Sequence, residues 1–158
     1  MVLVAQENSK EHIHSGGQIV TAYDYLNTIR ILDALIQSKL EEQQQLKELA
    51  TQITQAGDGM PHAIGVSDKV GNTVSKLVDL QNDTAVLVEE YRNKRQEVIK
   101  VLELLPPNQY AVLHKRFVLF KKWEEIADEM MYSERQVHRI RKRAIRLVQY
   151  ILDEKKMS

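Results

Sequence analysis

Cysteine is absent from the chain, which excludes Cys-ligated zinc, a thiolate nucleophile and a disulfide framework together. Three prolines and six glycines are too few for a collagen-like or wholly disordered chain. No apolar run approaches the roughly 20 residues that a bilayer crossing demands, so membrane insertion is excluded. The opening MVLVAQENSKEHIHS has too short an apolar stretch, and no basic leader before it, for a secretory signal, and a cytoplasmic chain is expected. Also missing are a phosphate-cradling glycine loop, an HExxH pair and any nucleophile-base set. The scattered carboxylates read as solvated helix faces, and Asp128 and Glu129 follow a helix pattern with no convergent cleft. No catalytic residue, cofactor or metal is therefore expected.

What is present is a chain of 158 residues, 43% apolar and 28% charged, long enough to bury a core without metal or disulfide staples. Its formal net charge of zero conceals an asymmetry. Residues 1–105 carry 10 Lys/Arg against 15 Asp/Glu, whereas residues 106–158 carry 12 against 7. A basic end suggests a partner such as nucleic acid or an acidic surface, against the plainer reading of a solvated Lys/Arg face.

Residues 1–20 show no sustained period and read as a flexible leader. His12 and His14 have no third ligand in view and read as part of a solvated tail rather than a metal pair. Thr21 with Asp24 opens a helix that runs to about Gln55. Positions 25, 29, 32, 36, 39, 43, 46, 50 and 53 form its 3.5-residue stripe, interrupted by Lys39 and Gln43. GDGMPHAIG, Gly57 to Gly65, reads as a connecting loop, and Ser67 or Asp68 is the expected cap of a second long helix. Its stripe is predicted at 70, 74, 77, 81, 84, 88, 91, 95, 98, 102 and 105. Two rods of similar length joined by a short loop should be antiparallel neighbours. Leu80, Leu87 and Val101, with Leu35 and Leu49 of the first helix, fall beside these stripes. Apolar faces this wide favour self-association, with a dimer expected, because three short C-terminal helices cannot sheathe such a rod. Gln81, Thr84 and Arg95 are expected to set register.

Pro106-Pro107 ends the second rod, with Pro107 suited to the first turn of the next helix. Tyr110, Leu113, Phe117 and Phe120 give a short helix from Asn108 to about Phe120, with His114 on its solvent side. Trp123 to Met130 is a second short helix, Met131-Tyr132 a turn, and Ser133-Glu-Arg-Gln136 a capping box that opens a third. Ala127 permits close approach of the last two helices, and Val137 and Ile140 plug the angle between them, the spacing of a helix-turn-helix. Val137, Ile140, Ala144, Val148 and Ile151 should face inward. The opposite side carries Arg135, Arg139, Arg141, Lys142, Arg143 and Arg146 against one acid, Glu134. Such like charges repel one another unless phosphates neutralise them. A plain three-helix bundle, or a basic helix docking on an acidic protein, are the rival readings of this stretch.

The segment WEEIADEMMYSERQVHRIRKRAIRLV resembles the promoter-reading C-terminal domain of bacterial sigma factors, and residues 21–152 look like phage transcriptional regulators of the ArpU and RinA type. Trp123, Ile126, Ala127, Val137, Ile140 and Ala144 match the packing pattern, and Ser133 matches the cap. Met131 stands where the pattern has glycine, and a left-handed backbone there costs ~1 kcal/mol. Lys122 replaces a small polar cap, and Glu134-Arg135-Gln136 replaces the usual Arg-Glu-Arg order. The resemblance implies a regulator of phage late or packaging genes, working in the cytoplasm of a bacterial host.

The expected architecture is thus all-α: a long antiparallel helical hairpin (coiled coil) over 21–105 that oligomerises, followed by a three-helix helix-turn-helix domain over 106–158 that binds double-stranded DNA. Arg135, Gln136, His138 and Arg139 lie where side chains reach base edges, although Gln136 has a competing use in the cap. Lys142, Arg143 and Arg146 are expected on phosphates, with Lys121 and Lys122 joining from the preceding turn. The alternatives are a DNA-packaging subunit of the small terminase kind and a protein-only adaptor that binds RNA polymerase.

Overall fold

The computed structural model describes residues 20–56 and 64–158, with 64–67 described as helical backbone only. Residues 1–19, with His12 and His14, and most of the expected Gly57 to Gly65 loop lie outside the described residues. The described chain is all-helical: α1 (Ala22–Ala56), α2 (Ile64–Leu102), α3 (Pro107–Leu113) continued by a π-helical turn (His114–Val118), α4 (Trp123–Met130) and α5 (Glu134–Met157). Among the described residues no helix is long and apolar enough to cross a membrane.

The start of α1 is fixed by its sequence. The Thr21 hydroxyl accepts from the Asp24 N–H at 3.1 Å and donates to the Asp24 carboxylate at 2.6 Å, satisfying an otherwise orphaned amide and placing a negative charge at the positive helix end. At ~1.5 Å per residue α1 is a rod of roughly 50 Å. α2 begins at Ile64, so Ser67 and Asp68 lie within the helix instead of capping it. Gly65 costs a helix only ~1 kcal/mol and did not stop it.

All nine projected stripe positions of α1 are buried or half-buried. In α2 three of the eleven projected stripe positions are displaced by one residue. Val74, Gln81 and Val88 are exposed, while Thr73, Leu80 and Leu87 face α1 in their stead, and Val101 is buried together with the projected Leu102. Apolar side chains occupy both neighbouring positions at 87/88 and 101/102, so a 3.5-residue period alone does not choose between them. Leu80, Leu87 and Val101 are therefore seam residues and not surplus surface, and Gln81 sets no register. That role falls to a polar layer: Gln43 Nε2 donates to Thr84 Oγ1 at 2.7 Å, and Thr84 Oγ1 donates to the Leu80 carbonyl at 2.7 Å. Both side chains are buried, at 7% and 6% exposure. A lone buried pair of this kind opposes sliding of one helix past the other.

The open end of the hairpin is embedded in the C-terminal helices. One core unites Leu26 and Ile29 of α1, Val98 and Leu102 of α2, Leu113 and Phe117, Ile126 of α4, and Val137, Ala144 and Val148 of α5. The boundary drawn at residues 105/106 is thus crossed by continuous packing. Polar contacts reinforce it: the Ala22 N–H donates to Gln149 Oε1 of α5 at 2.7 Å, and Tyr23 meets Phe117 edge to face at 5.9 Å. Beyond Leu32 the hairpin continues as a two-helix stalk.

The segment expected as a single helix from Asn108 to Phe120 is α3 followed by the wider π turn. Leu119 N–H donates to the His114 carbonyl at 3.1 Å, and Phe120 takes a left-handed φ of 58°. The extra residue in the turn lets Phe117 and Val118 both enter the core. His114 is not on the solvent side: it is half-buried and stacked on Tyr110 at 5.2 Å. Burial, then the charges of Arg95 and Lys115, holds its imidazole below the ordinary value of 6.5.

Candidate nucleic-acid interface

The connection from α4 to α5 sets the direction of the basic helix. Tyr132 N–H donates to the Ala127 carbonyl at 3.0 Å and Met131 N–H to the Asp128 carbonyl at 3.2 Å, the paired bonds of a Schellman termination. That motif needs a left-handed residue, and Met131 supplies it at φ 56° and ψ 37°. The turn has the geometry a glycine would give, with a Cβ present and the side chain 91% exposed. Ser133 then caps α5: its hydroxyl accepts from the Gln136 N–H at 3.2 Å, and Gln136 Oε1 accepts from the Ser133 N–H at 2.9 Å. At the start of α4, Lys122 offers no acceptor, and half a box forms, with Glu125 Oε2 accepting from the Lys122 N–H at 2.7 Å.

With Val137, Ala144 and Val148 held inward, the 3.6-residue period turns Arg135, Arg139, Lys142 and Arg146 to the opposite side. All four are exposed and stand at i, i+4, i+7 and i+11, one unbroken line about 16 Å long. Arg143, also exposed, flanks it. None of these five cations is in an ion pair among the described residues.

The remaining expected contacts are placed otherwise. Gln136 is exposed, but its amide oxygen is committed to the cap. His138 is half-buried with its ring tilted on Trp123 at 5.6 Å, so it supports the α4–α5 packing and stands apart from the exposed line. Lys121 is ion-paired with Glu129, which also accepts from Lys115 at 2.6 Å. These two ammonium groups hold the Glu129 carboxyl below its usual range. Lys122 is exposed beside them. Arg141, one of the six cations counted on α5, turns inward and lies over the Trp123 ring at 5.3 Å, as does Arg116 at 4.9 Å. Its place was legible, since residue 141 is four past Val137 and three before Ala144. The approach of Arg116 and of Arg30 from α1 had no sequence signal, because it depends on how the hairpin docks.

Among the described residues no cluster of three or more His, Asp or Glu side chains could hold a metal ion. No family model matches the chain, and neither a curated protein nor a solved structure matches it.

Proposed function

We propose that the protein is a sequence-specific, double-stranded-DNA-binding transcription regulator that lays α5 in the major groove. The observation that carries this reading is the exposed, unpaired line Arg135, Arg139, Lys142 and Arg146 on the helix that follows a tight helix-turn-helix connection. A groove about 12 Å wide admits one helix, and a line of cations with no ion-pair partner among the described residues gains most from a polyanion. Arg135 and Arg139, in the first turns, are the base-reading candidates. Lys142, Arg143 and Arg146 grip phosphates, with Lys122 reaching a flanking one.

The likeness of residues 123–148 to the promoter-reading part of sigma factors supports a regulatory role, activation of phage late or packaging genes in the host cytoplasm. Oligomerisation through the stalk, as a dimer, is part of the same proposal. Its support is the run of apolar side chains left exposed there, Leu35, Leu40, Leu49, Val74, Val78 and Val88, now without Leu80, Leu87 and Val101.

Fluorescence anisotropy with genomic duplex fragments, repeated across a salt series, tests the proposal. Four neutralised phosphates predict log K falling with log salt at a slope of about −3.6. No retention of any duplex in dilute buffer refutes DNA binding, and capture of RNA polymerase in that case would support the adaptor reading. Light scattering measures the assembly: a ring of eight or more chains would favour a packaging subunit over a regulator.

A further inference from the structure

A second group of cations lies away from the exposed line, at the junction of the hairpin with the C-terminal helices. Arg116 of the π turn and Arg141 of α5 both lie over Trp123, and Arg30 of α1 lies over Phe120 at 5.5 Å. Arg116 Nη1 donates to the Lys121 carbonyl at 2.9 Å, which fixes the orientation of its fork. All three residues are half-exposed, and none is in an ion pair among the described residues. Arg141 Nε is buried with no hydrogen-bond partner.

The three charges act on one another. Burial, then the guanidinium of Arg30, with Arg141 adding to it, pushes Arg116 below the usual arginine value, while Tyr23 and then Glu124 work the other way. Aromatic rings relieve part of this repulsion, but a ring occupies only the flat face of a guanidinium. The in-plane N–H donors other than the one Arg116 Nη1 gives to the Lys121 carbonyl and the buried Arg141 Nε are left over, and guanidinium donors of this kind match phosphate oxygens.

We propose that Arg30, Arg116 and Arg141 form a phosphate-binding seat, built jointly by the hairpin and the C-terminal helices, that takes the oxyanion of a phosphate group. Two sources share that chemistry: the backbone of a duplex lying against the head, and a free phosphate or phosphorylated small molecule. The seat rests on its own geometry and does not depend on α5 entering a groove.

Trp123 is the single tryptophan of the chain and is in contact with two of the three guanidinium groups, so its emission reports occupancy. The full-length protein is titrated with inorganic phosphate at constant ionic strength, using chloride as control, and separately with duplex DNA. Arg30→Gln is the informative variant because Arg30 stacks on Phe120 and leaves Trp123 in place. Arg30→Lys, which keeps the charge without the fork, is the second variant should the first fold poorly.

A saturable emission change with phosphate, weakened about tenfold or more by Arg30→Gln, assigns the free source. An emission change with duplex alone, together with a salt slope reduced by about 0.9 in Arg30→Gln, assigns the DNA backbone. The seat is overturned when neither ligand moves Trp123 emission, or when Arg30→Gln and Arg116→Gln titrate as the unaltered protein does. Duplex binding with an unchanged slope in Arg30→Gln and no phosphate response sinks the seat and spares the groove reading. A phosphate response without duplex binding does the reverse.

Discussion

Replacing Met131 by glycine should make the protein more stable, although the change deletes a whole side chain. Met131 holds a left-handed backbone at φ 56° and ψ 37°, a conformation that costs a residue with a Cβ ~1–2 kcal/mol. At 91% exposure the side chain has almost no burial to lose. Glycine relieves the strain and returns ~0.4–1 kcal/mol through the greater freedom of the unfolded chain, leaving a net gain of about 0.5–1 kcal/mol. For a chain of this size that corresponds to a rise in Tm of about 1–4 °C. Met131→Ala keeps the Cβ and should stay within about 0.5 kcal/mol of the parent. Urea unfolding and calorimetry on the three proteins supply the comparison, with unchanged duplex affinity expected because the turn keeps its shape. A glycine variant less stable than the parent would refute the claim that Met131 stores backbone strain at this turn.

The division of labour along α5 is separable: Arg139→Ala should weaken a selected duplex by about 1–3 kcal/mol and a random one less, whereas Lys142→Ala should weaken both alike. Equal losses for Arg139→Ala in a paired binding assay would reject base reading at that position. Thr84→Val leaves the buried Gln43 amide only its long 3.5 Å bond to the Leu80 carbonyl and should cost about 1–2 kcal/mol in denaturant unfolding, while Gln43→Leu with Thr84→Val should be close to neutral. The double variant should populate additional assemblies by light scattering, because the Gln43–Thr84 layer that opposes sliding of the stalk helices is then gone. His114 has its folded-state value below 6.5, so the unfolded chain binds more protons between that lowered value and about 6.5. Stability from this group is complete above that window and declines as pH falls through it. His114→Gln should flatten the decline in urea midpoints measured from pH 7 to pH 5, and an identical decline in both proteins would remove His114 as its cause.

Much of the architecture was legible because local chemistry and period agreed. Thr21 with Asp24, Pro107, and Ser133 with Gln136 mark helix starts that depend on nothing distant. The stripe of α1 could be read because each of its inward positions has polar or exposed neighbours on both sides over most of the rod. The stripe of α2 was misread at Val74, Gln81 and Val88, because neighbours such as Leu87 and Val88 satisfy a helical period equally well. The exposed line on α5 could likewise be read, since fixing Val137, Ala144 and Val148 inward leaves its cations one direction to face.

The sequence by itself determined the helices, the caps that begin them and the basic side of α5, all consequences of interactions within about four residues. Tertiary packing alone decided which edge of α2 meets α1, the widening of the helix at His114 into a π turn, the withdrawal of His138 onto Trp123, and the meeting of Arg30 with Arg116. Each of these turns on side chains tens of residues apart competing for the same enclosed space, a contest that periodicity along one chain segment does not register.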